Sequence, residues 1–399
     1  MGRSEAGLLL WGRVILMGNA FLVSIFLIKK FGLAAVGTYT LANVAVTFLS
    51  LSCGFGLNYS LPRESMTNPQ RNTVTLVWSG LVAPVSLLLI IAYAWIMAEN
   101  RQEILEISLF ATAGFFVALT NVANTLYLLQ KRIHLSLIFP IVHTAGLLVG
   151  MIFSRTVIQF ALALMVFRAL GSFIPFVLLN YSRVSLANIF RCGIRGCGFL
   201  PSDMLAMFSE QSGLLILSQL LSRGDLGMFG LCRQALTAGD LPGWSFMQSK
   251  YPQLVESKLW SARETFRQNV KLSFHMSILI LAGSCVLGFF IYHLPIFCHF
   301  MVLLVLVIPS RYNNCFYDQV IKSAGKNRLN SVLSGIKFLI AVPLFFILGK
   351  SLGVWGAVIG LAGLSVLSDI LYRKSARSLY PELGQLPPGL GIAATVHDS

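Results

Sequence analysis

The chain has 399 residues, of which 56% are hydrophobic and 11% charged, and it carries a formal net charge of +15. Soluble domains carry about 25% charged residues, so this composition cannot cover a water-facing surface and excludes a soluble enzyme or binding domain. In a membrane protein, basic cytoplasmic loops and anionic lipid headgroups account for the positive balance, and no nucleic-acid partner is expected.

The apolar residues fall in long runs, and a run of about 20 fits the hydrocarbon thickness of a bilayer. The first run, 7–28, follows Met1-Gly2-Arg3-Ser4-Glu5. It is longer than the core of a secretory signal, and no convincing cleavage site precedes Lys29-Lys30, so it reads as a retained span. Further runs follow at 35–60, 73–97, 104–129, 135–154, 157–180, 199–221, 226–249, 270–292, 296–321, 330–349 and 353–372. The stretch from Leu272 to Pro309 is too long for one crossing, and His293-Leu294-Pro295 supplies the turn that divides it. Twelve spans result.

An even number places both termini on one side. That side then holds 20 of the 30 basic residues, the other side 6, and the spans themselves 4. The positive-inside rule makes the basic side cytoplasmic. No connection is long enough for a separate soluble domain. The longest, 181–198 and 250–269, both fall in the cytoplasm, and the Gly- and Pro-rich end of the chain reads as a loose tail.

Seven cysteines and six histidines are scattered. Cys192 and Cys197 form the one close pair, and their spacing matches no metal or redox motif, so neither a metal nor a cofactor is expected. The surrounding glycines, from Arg191 to Gly198, resemble a phosphate-binding loop only superficially, because no strand precedes them and the spacing is wrong. The segment reads as a linker.

Shifting the sequence by 190 residues lays Gly37-Thr38-Tyr39-Thr40-Leu41 on Gly227-Met228-Phe229-Gly230-Leu231, and Pro62 on Pro252. The matches occupy equivalent places in two halves of six spans. An even number of spans per half implies parallel repeats related by an axis along the membrane normal. Two such lobes leave a cleft, which suits a transporter better than a membrane enzyme.

Ionisable groups inside spans cost about 2.5–3.5 kcal/mol each on insertion scales and therefore face a cavity or a partner. Asp203 and Glu210, Arg233 and Asp240, and Arg311 and Asp318 are each seven residues apart. Seven residues make nearly two helical turns, so each pair shares a face. Spans 7, 8 and 10 are thus expected to line a polar cavity. Pro309, followed by Ser310-Arg311-Tyr312-Asn313-Asn314, marks the expected broken helix.

The segment Phe31-Gly32-Leu33-Ala34-Ala35-Val36-Gly37-Thr38-Tyr39 resembles the opening of the second span in polysaccharide flippases of the multidrug/oligosaccharidyl-lipid/polysaccharide exporter superfamily. Gly54-Phe55-Gly56-Leu57-Asn58 through Pro62-Arg63-Glu64, the counterpart from Leu226 to Pro252, and Leu352-Gly353-Val354-Trp355-Gly356-Ala357-Val358 fit the same pattern. The resemblance implies an all-α polytopic membrane protein whose twelve or so helices form two pseudo-symmetric six-helix lobes in a V around a central cavity. The lobes would be residues 1–181 and 199–375, joined by a cytoplasmic linker, 182–198, and followed by a cytoplasmic tail, 376–399. It implies a flippase rather than an enzyme, working by alternating access in a bacterial inner membrane with both termini cytoplasmic. The substrate would be an undecaprenyl-pyrophosphate-linked oligosaccharide such as an O-antigen repeat unit of lipopolysaccharide. Membrane lipids and polysaccharide-assembly proteins are the partners it suggests.

For such a substrate, arginine suits the phosphates through its paired donors. Arg13, Arg168, Arg233 and Arg311, with Lys337, are the candidate headgroup contacts, and Asn121 and Asn124, three apart on one face of span 4, are candidates for sugar hydroxyls. Glu210, Asp240 and Asp318 are candidates for coupling to a proton or sodium gradient, although carboxylates so placed equally serve to neutralise the arginines. Two other functions compete: a cation-coupled multidrug exporter on the same fold, and an integral membrane glycan polymerase or acyltransferase. The first typically needs a buried acid in spans 1, 2, 3, 5 or 6, which offer none. The second needs a long outer loop or a clustered catalytic set, and neither is present.

Overall fold

The computed structural model describes residues 3–54, 57, 61, 64–130, 132–197, 200–257, 260–324 and 326–379. Every regular element among them is helical. In chain order these are α1 (Arg3–Phe31), α2 (Leu33–Gly54), α3 (Asn68–Met97), α4 (Arg101–Leu129), α5 (Ile138–Phe153), α6 (Val157–Val177), α7 (Leu186–Cys197), α8 (Leu200–Leu220), α9 (Arg223–Ser257), α10 (Trp260–Val286), α11 (Pro295–Val305), α12 (Ile308–Ser323) and α13 (Asn327–Leu379). Each of the twelve predicted spans falls on one of these helices, on half of a long one, or on a bent pair.

By length and apolar content alone, seven of the described helices are fit to cross a membrane, or eight if a bent pair is counted as one span. One of the seven is the 53-residue α13, which holds two predicted spans. Gly353 divides it with φ 58° and ψ −132°, a backbone conformation that side chains with a Cβ rarely adopt. Gly32 turns α1 into α2 at φ 86° for the same reason. His293, at φ 55°, ends the turn of π-helix that continues α10, and Pro295 opens α11. The predicted turn is therefore where the sequence placed it. The bent pair is α11 and α12, which meet at 44°. Pro309 sits in the first turn of α12, where its missing N–H is tolerated and where it cannot extend the preceding helix. The predicted break thus falls just before Pro309. Pro84, Pro175 and Pro343 lie inside helices without ending them.

Helix α3 shows what the apolar residues do. Its 30 residues rise about 45 Å, more than the ~30 Å of a hydrocarbon core. Leu81, Val85, Leu88 and Trp95 stand exposed along one face, while Val74, Trp78, Val82, Ile90 and Ala94 are buried. In water such a stripe would aggregate; in lipid it is the solvent-facing side.

The chain falls into two compact units, Met1–Gly230 and Leu231–Ser399. In the first, Trp78, Leu119, Val122, Leu126, Tyr127, Ile189 and Cys192 belong to one core cluster. In the second, Met247, Phe266, Phe316, Tyr317, Leu333 and Tyr372 belong to another. The first unit includes α8 and the first two turns of α9.

Within that first unit α2 and α9 cross at glycines, and the crossing obeys the repeat. A Cβ on Gly37 would lie 2.0 Å from the carbonyl oxygen of Arg223, and one on Gly227 would lie 2.3 Å from that of Leu33. Leu33 and Arg223, like Gly37 and Gly227, are 190 residues apart, so the two contacts exchange under the shift. A Cβ on Gly230 would lie 2.2 Å from Oγ1 of Thr40, its own counterpart. The glycines that the sequence equates are thus the ones that let these backbones touch. That is physical support for the repeat.

Candidate functional site

Of the predicted site residues, Arg13, Asn121 and Asp203 have side chains outside the described residues, as do the tail beyond 379 and most of the motif from Phe55 to Arg63. The others divide between the two units.

In the first unit, Arg168 sits halfway along α6 and is only 5% exposed. Its Nε donates to Nε2 of His143 on α5 at 3.1 Å. An imidazole that accepts there is neutral, and its other ring nitrogen, Nδ1, lies 3.5 Å from Asn19 Nδ2. Asn19 in turn donates to Thr144 Oγ1 at 2.9 Å. Each residue is in place because α1, α5 and α6 bring polar positions to one buried spot. The site is a guanidinium held by a neutral ring, and no carboxylate pairs with Arg168 among the described residues. His143 has no distinguishing sequence pattern; its only signal is an ionisable ring inside an otherwise apolar span. Asn124 on α4 is half-buried, and its Oδ1 accepts no hydrogen bond among the described residues.

In the second unit, Arg311 and Asp240 are brought together across 71 residues of sequence. Arg311 Nε donates to both carboxylate oxygens at 2.9 Å, and Nη2 also donates to Oδ2. Nη1 reaches Ser365 Oγ at 3.3 Å. A candidate headgroup contact and a candidate coupling acid are therefore one ion pair. Asp318 accepts from Lys322 one turn on, at 2.7 Å. Arg233 is half-buried on α9 and is engaged by neighbouring groups. Lys337 lies 5.8 Å from the ring centroid of Tyr372. Glu210 is exposed on α8.

One further charged centre joins residues that no sequence pattern links. Arg223 opens α9 and is buried against Glu103 on α4, with side chains 10% and 7% exposed. Its Nε donates to Glu103 Oε1 at 2.6 Å and its Nη2 to Oε2 at 3.3 Å and to the Met97 carbonyl. Thr38 Oγ1 and the Glu99 N–H donate to the same carboxylate. A pocket of about 500 Å³ beside it is lined by Thr38, Glu99, Glu103, Glu106 and Arg223 among others. Three carboxylates against one arginine make that pocket unsuited to an anionic ligand. The pair is 120 residues apart in sequence, and Arg223 reads as an ordinary loop cation, so no local pattern could have found it.

No protein-family model matches the sequence, and no curated protein matches it either. Solved structures do. The lipid II flippase MurJ in an inward closed conformation superposes with a TM-score of 0.74 at 11% identity, over 94% of this chain and 88% of that one. An inward-facing multidrug resistance MATE family transporter of the MOP superfamily gives a TM-score of 0.67 at 12% identity, over 93% and 96%. A MOP superfamily transporter from Pyrococcus furiosus, described as having a binding pocket of reverse polarity, gives 0.62 at 12% identity, over 95% of each chain. This all-α, polytopic membrane chain has the fold of the MOP superfamily transporters.

Proposed function

We propose that the protein is a secondary transporter that flips an anionic lipid-linked oligosaccharide across a bacterial inner membrane by alternating access. The substrate we infer is an undecaprenyl-pyrophosphate-linked repeat unit of a surface polysaccharide such as O-antigen, carried from the cytoplasmic to the outer leaflet. The observation that carries this reading is Arg168. A cation buried at mid-span with a neutral histidine as its partner is costly. The deficit is relieved when the substrate supplies the anion, and a guanidinium accommodates phosphate oxygens in pairs. Arg13, Arg233 and Lys337 are further headgroup candidates. Arg311 would have to exchange Asp240 for phosphate, which makes it the weaker ligand. Asn121 and the unspent acceptor of Asn124 suit sugar hydroxyls.

The six-span lobes, the cytoplasmic termini and the polysaccharide-assembly partners belong to the same proposal, as does coupling to a proton or sodium gradient through Glu210, Asp240 or Asp318. The fold itself does not set the sign of the cargo, because the superfamily includes both drug transporters and a pocket of reverse polarity. The charge of the buried Arg168 site supports an anionic one.

The test is translocation of a labelled prenyl-pyrophosphate glycan in proteoliposomes. Arg168→Ala is expected to lower the rate at least about tenfold, one charge-assisted contact or more, while Arg168→Lys keeps the charge and recovers part of it. Protein that is folded and reconstituted yet moves a cationic drug and no glycolipid would establish the multidrug alternative.

A further inference from the structure

Helix α7 has twelve residues, about 18 Å in length, too short to cross a ~30 Å core. At about 100° per residue its side chains sort into three arcs. Ile189, Cys192 and Gly193 face the protein; the first two are buried in the core cluster of the first unit. A Cβ on Gly193 would lie 2.3 Å from the Trp78 ring, so the helix is pressed flat against α3. Leu186, Phe190 and Ile194 form the second arc and are 64%, 47% and 67% exposed. Asn188, Arg191 and Arg195 form the third, and it too is exposed.

The position of the helix says what covers the apolar arc. Asn72 Nδ2 donates to the Asn180 carbonyl at 2.8 Å, and Thr73 Oγ1 donates to that of Ser182 at 2.7 Å. These bonds tie the approach to α7 to the start of α3, where its apolar run begins. Only two residues separate α7 from α8, a reach of roughly 10 Å. The approach to α7 is therefore held at the level where the membrane-spanning α3 begins, and its far end lies close to the start of α8. Trp78, the ring it packs on, is a residue type concentrated at that boundary. The segment 181–197 contains Arg183, Arg191 and Arg195 and no acidic residue. Arg195 is paired with Glu64, but Arg183 and Arg191 stand exposed.

We infer that α7 is an in-plane membrane anchor that binds anionic phospholipid. Leu186, Phe190 and Ile194 enter the acyl chains of the adjoining leaflet, and Arg183 and Arg191 bind the lipid phosphates above them. In the proposed orientation that leaflet is the cytoplasmic one, whose anionic lipids match the charge. The anchor does not depend on what the protein transports, and its test needs no substrate.

The full-length protein would carry the photoreactive residue p-benzoylphenylalanine at Phe190, Ile194 or, as a control on the polar arc, Asn188. Nanodiscs would contain phosphatidylcholine with or without phosphatidylglycerol. Illumination is expected to give lipid adducts at Phe190 and Ile194 and few at Asn188, with phosphatidylglycerol over-represented among them. At about 1 kcal/mol per basic residue near an anionic surface, Arg183→Gln with Arg191→Gln is expected to lower that preference roughly tenfold to thirtyfold. Adducts to protein instead of lipid at Phe190 and Ile194 would overturn the anchor, as would lipid yields equal to those at Asn188. A preference for phosphatidylglycerol that survives the double substitution would overturn the arginine–phosphate contact.

Discussion

Replacing Arg223 with Ala is expected to destabilise the protein by about 3–5 kcal/mol, the cost of leaving one member of a buried ion pair without the other. Glu103 would keep Thr38 and the Glu99 N–H as donors but lose the bidentate guanidinium. The Met97 carbonyl would lose its arginine donor as well. In detergent the thermal midpoint should fall by roughly 5–10 °C. Glu103→Gln should cost a comparable amount, since it strands the cation instead. The double variant Glu103→Leu with Arg223→Met should recover most of the loss, because an apolar pair of similar volume carries no desolvation cost. Equal midpoints for Arg223→Ala and the parent protein would mean that the pair contributes nothing, despite its burial. Single losses that simply add in the double variant would argue against a direct interaction.

The second large effect is expected at the glycine crossing. Gly227→Leu places a Cβ 2.3 Å from a backbone carbonyl, that of Leu33. No side-chain rotation relieves such a clash, so α2 and α9 must move apart. Overpacking in a close-packed interior costs typically 1–3 kcal/mol and more where backbone is the obstacle. Gly37→Leu meets the repeat-related carbonyl of Arg223 and should behave alike. Gly224, on the same helix three residues earlier, has only a serine hydroxyl within 4 Å, at 3.9 Å. Gly224→Ala should therefore be neutral, or stabilising by up to about 1 kcal/mol from helix propensity. Thermal midpoints and size-exclusion profiles of the three variants decide the matter. Matching losses at 37 and 227 with none at 224 would support a symmetric crossing, whereas a wild-type midpoint for Gly227→Leu would refute it.

These centres clarify how charge is used. Arg223 is balanced by Glu103, and Arg311 by Asp240. Arg168 is the buried cation for which the described residues provide a ring and no acid. That contrast makes it the most informative single position for substrate charge, and it is why its variant is the first to try.

Much of the architecture was legible from the order of the residues, because a bilayer restricts what an apolar run can be. Long runs must be helices, since lipid offers no partner for free backbone groups. Gly32, His293, Pro309 and Gly353 mark breaks that follow from backbone geometry alone. The repeat was visible because Gly37 and Gly227 answer the same steric demand. Pairing of charges was not legible. Whether Arg311 is a free cation or half of an ion pair depends on Asp240, on another helix; Arg223 depends on Glu103 in the same way. In helix α7 the glycines hide the periodicity, and only the packing on Trp78 separates the buried arc from the exposed one. Local chemistry, then, determined where the chain crosses the membrane and where it turns. Which charges cancel and which remain available was decided by tertiary structure, because electrostatic energy depends on distance in space and not on separation along the chain.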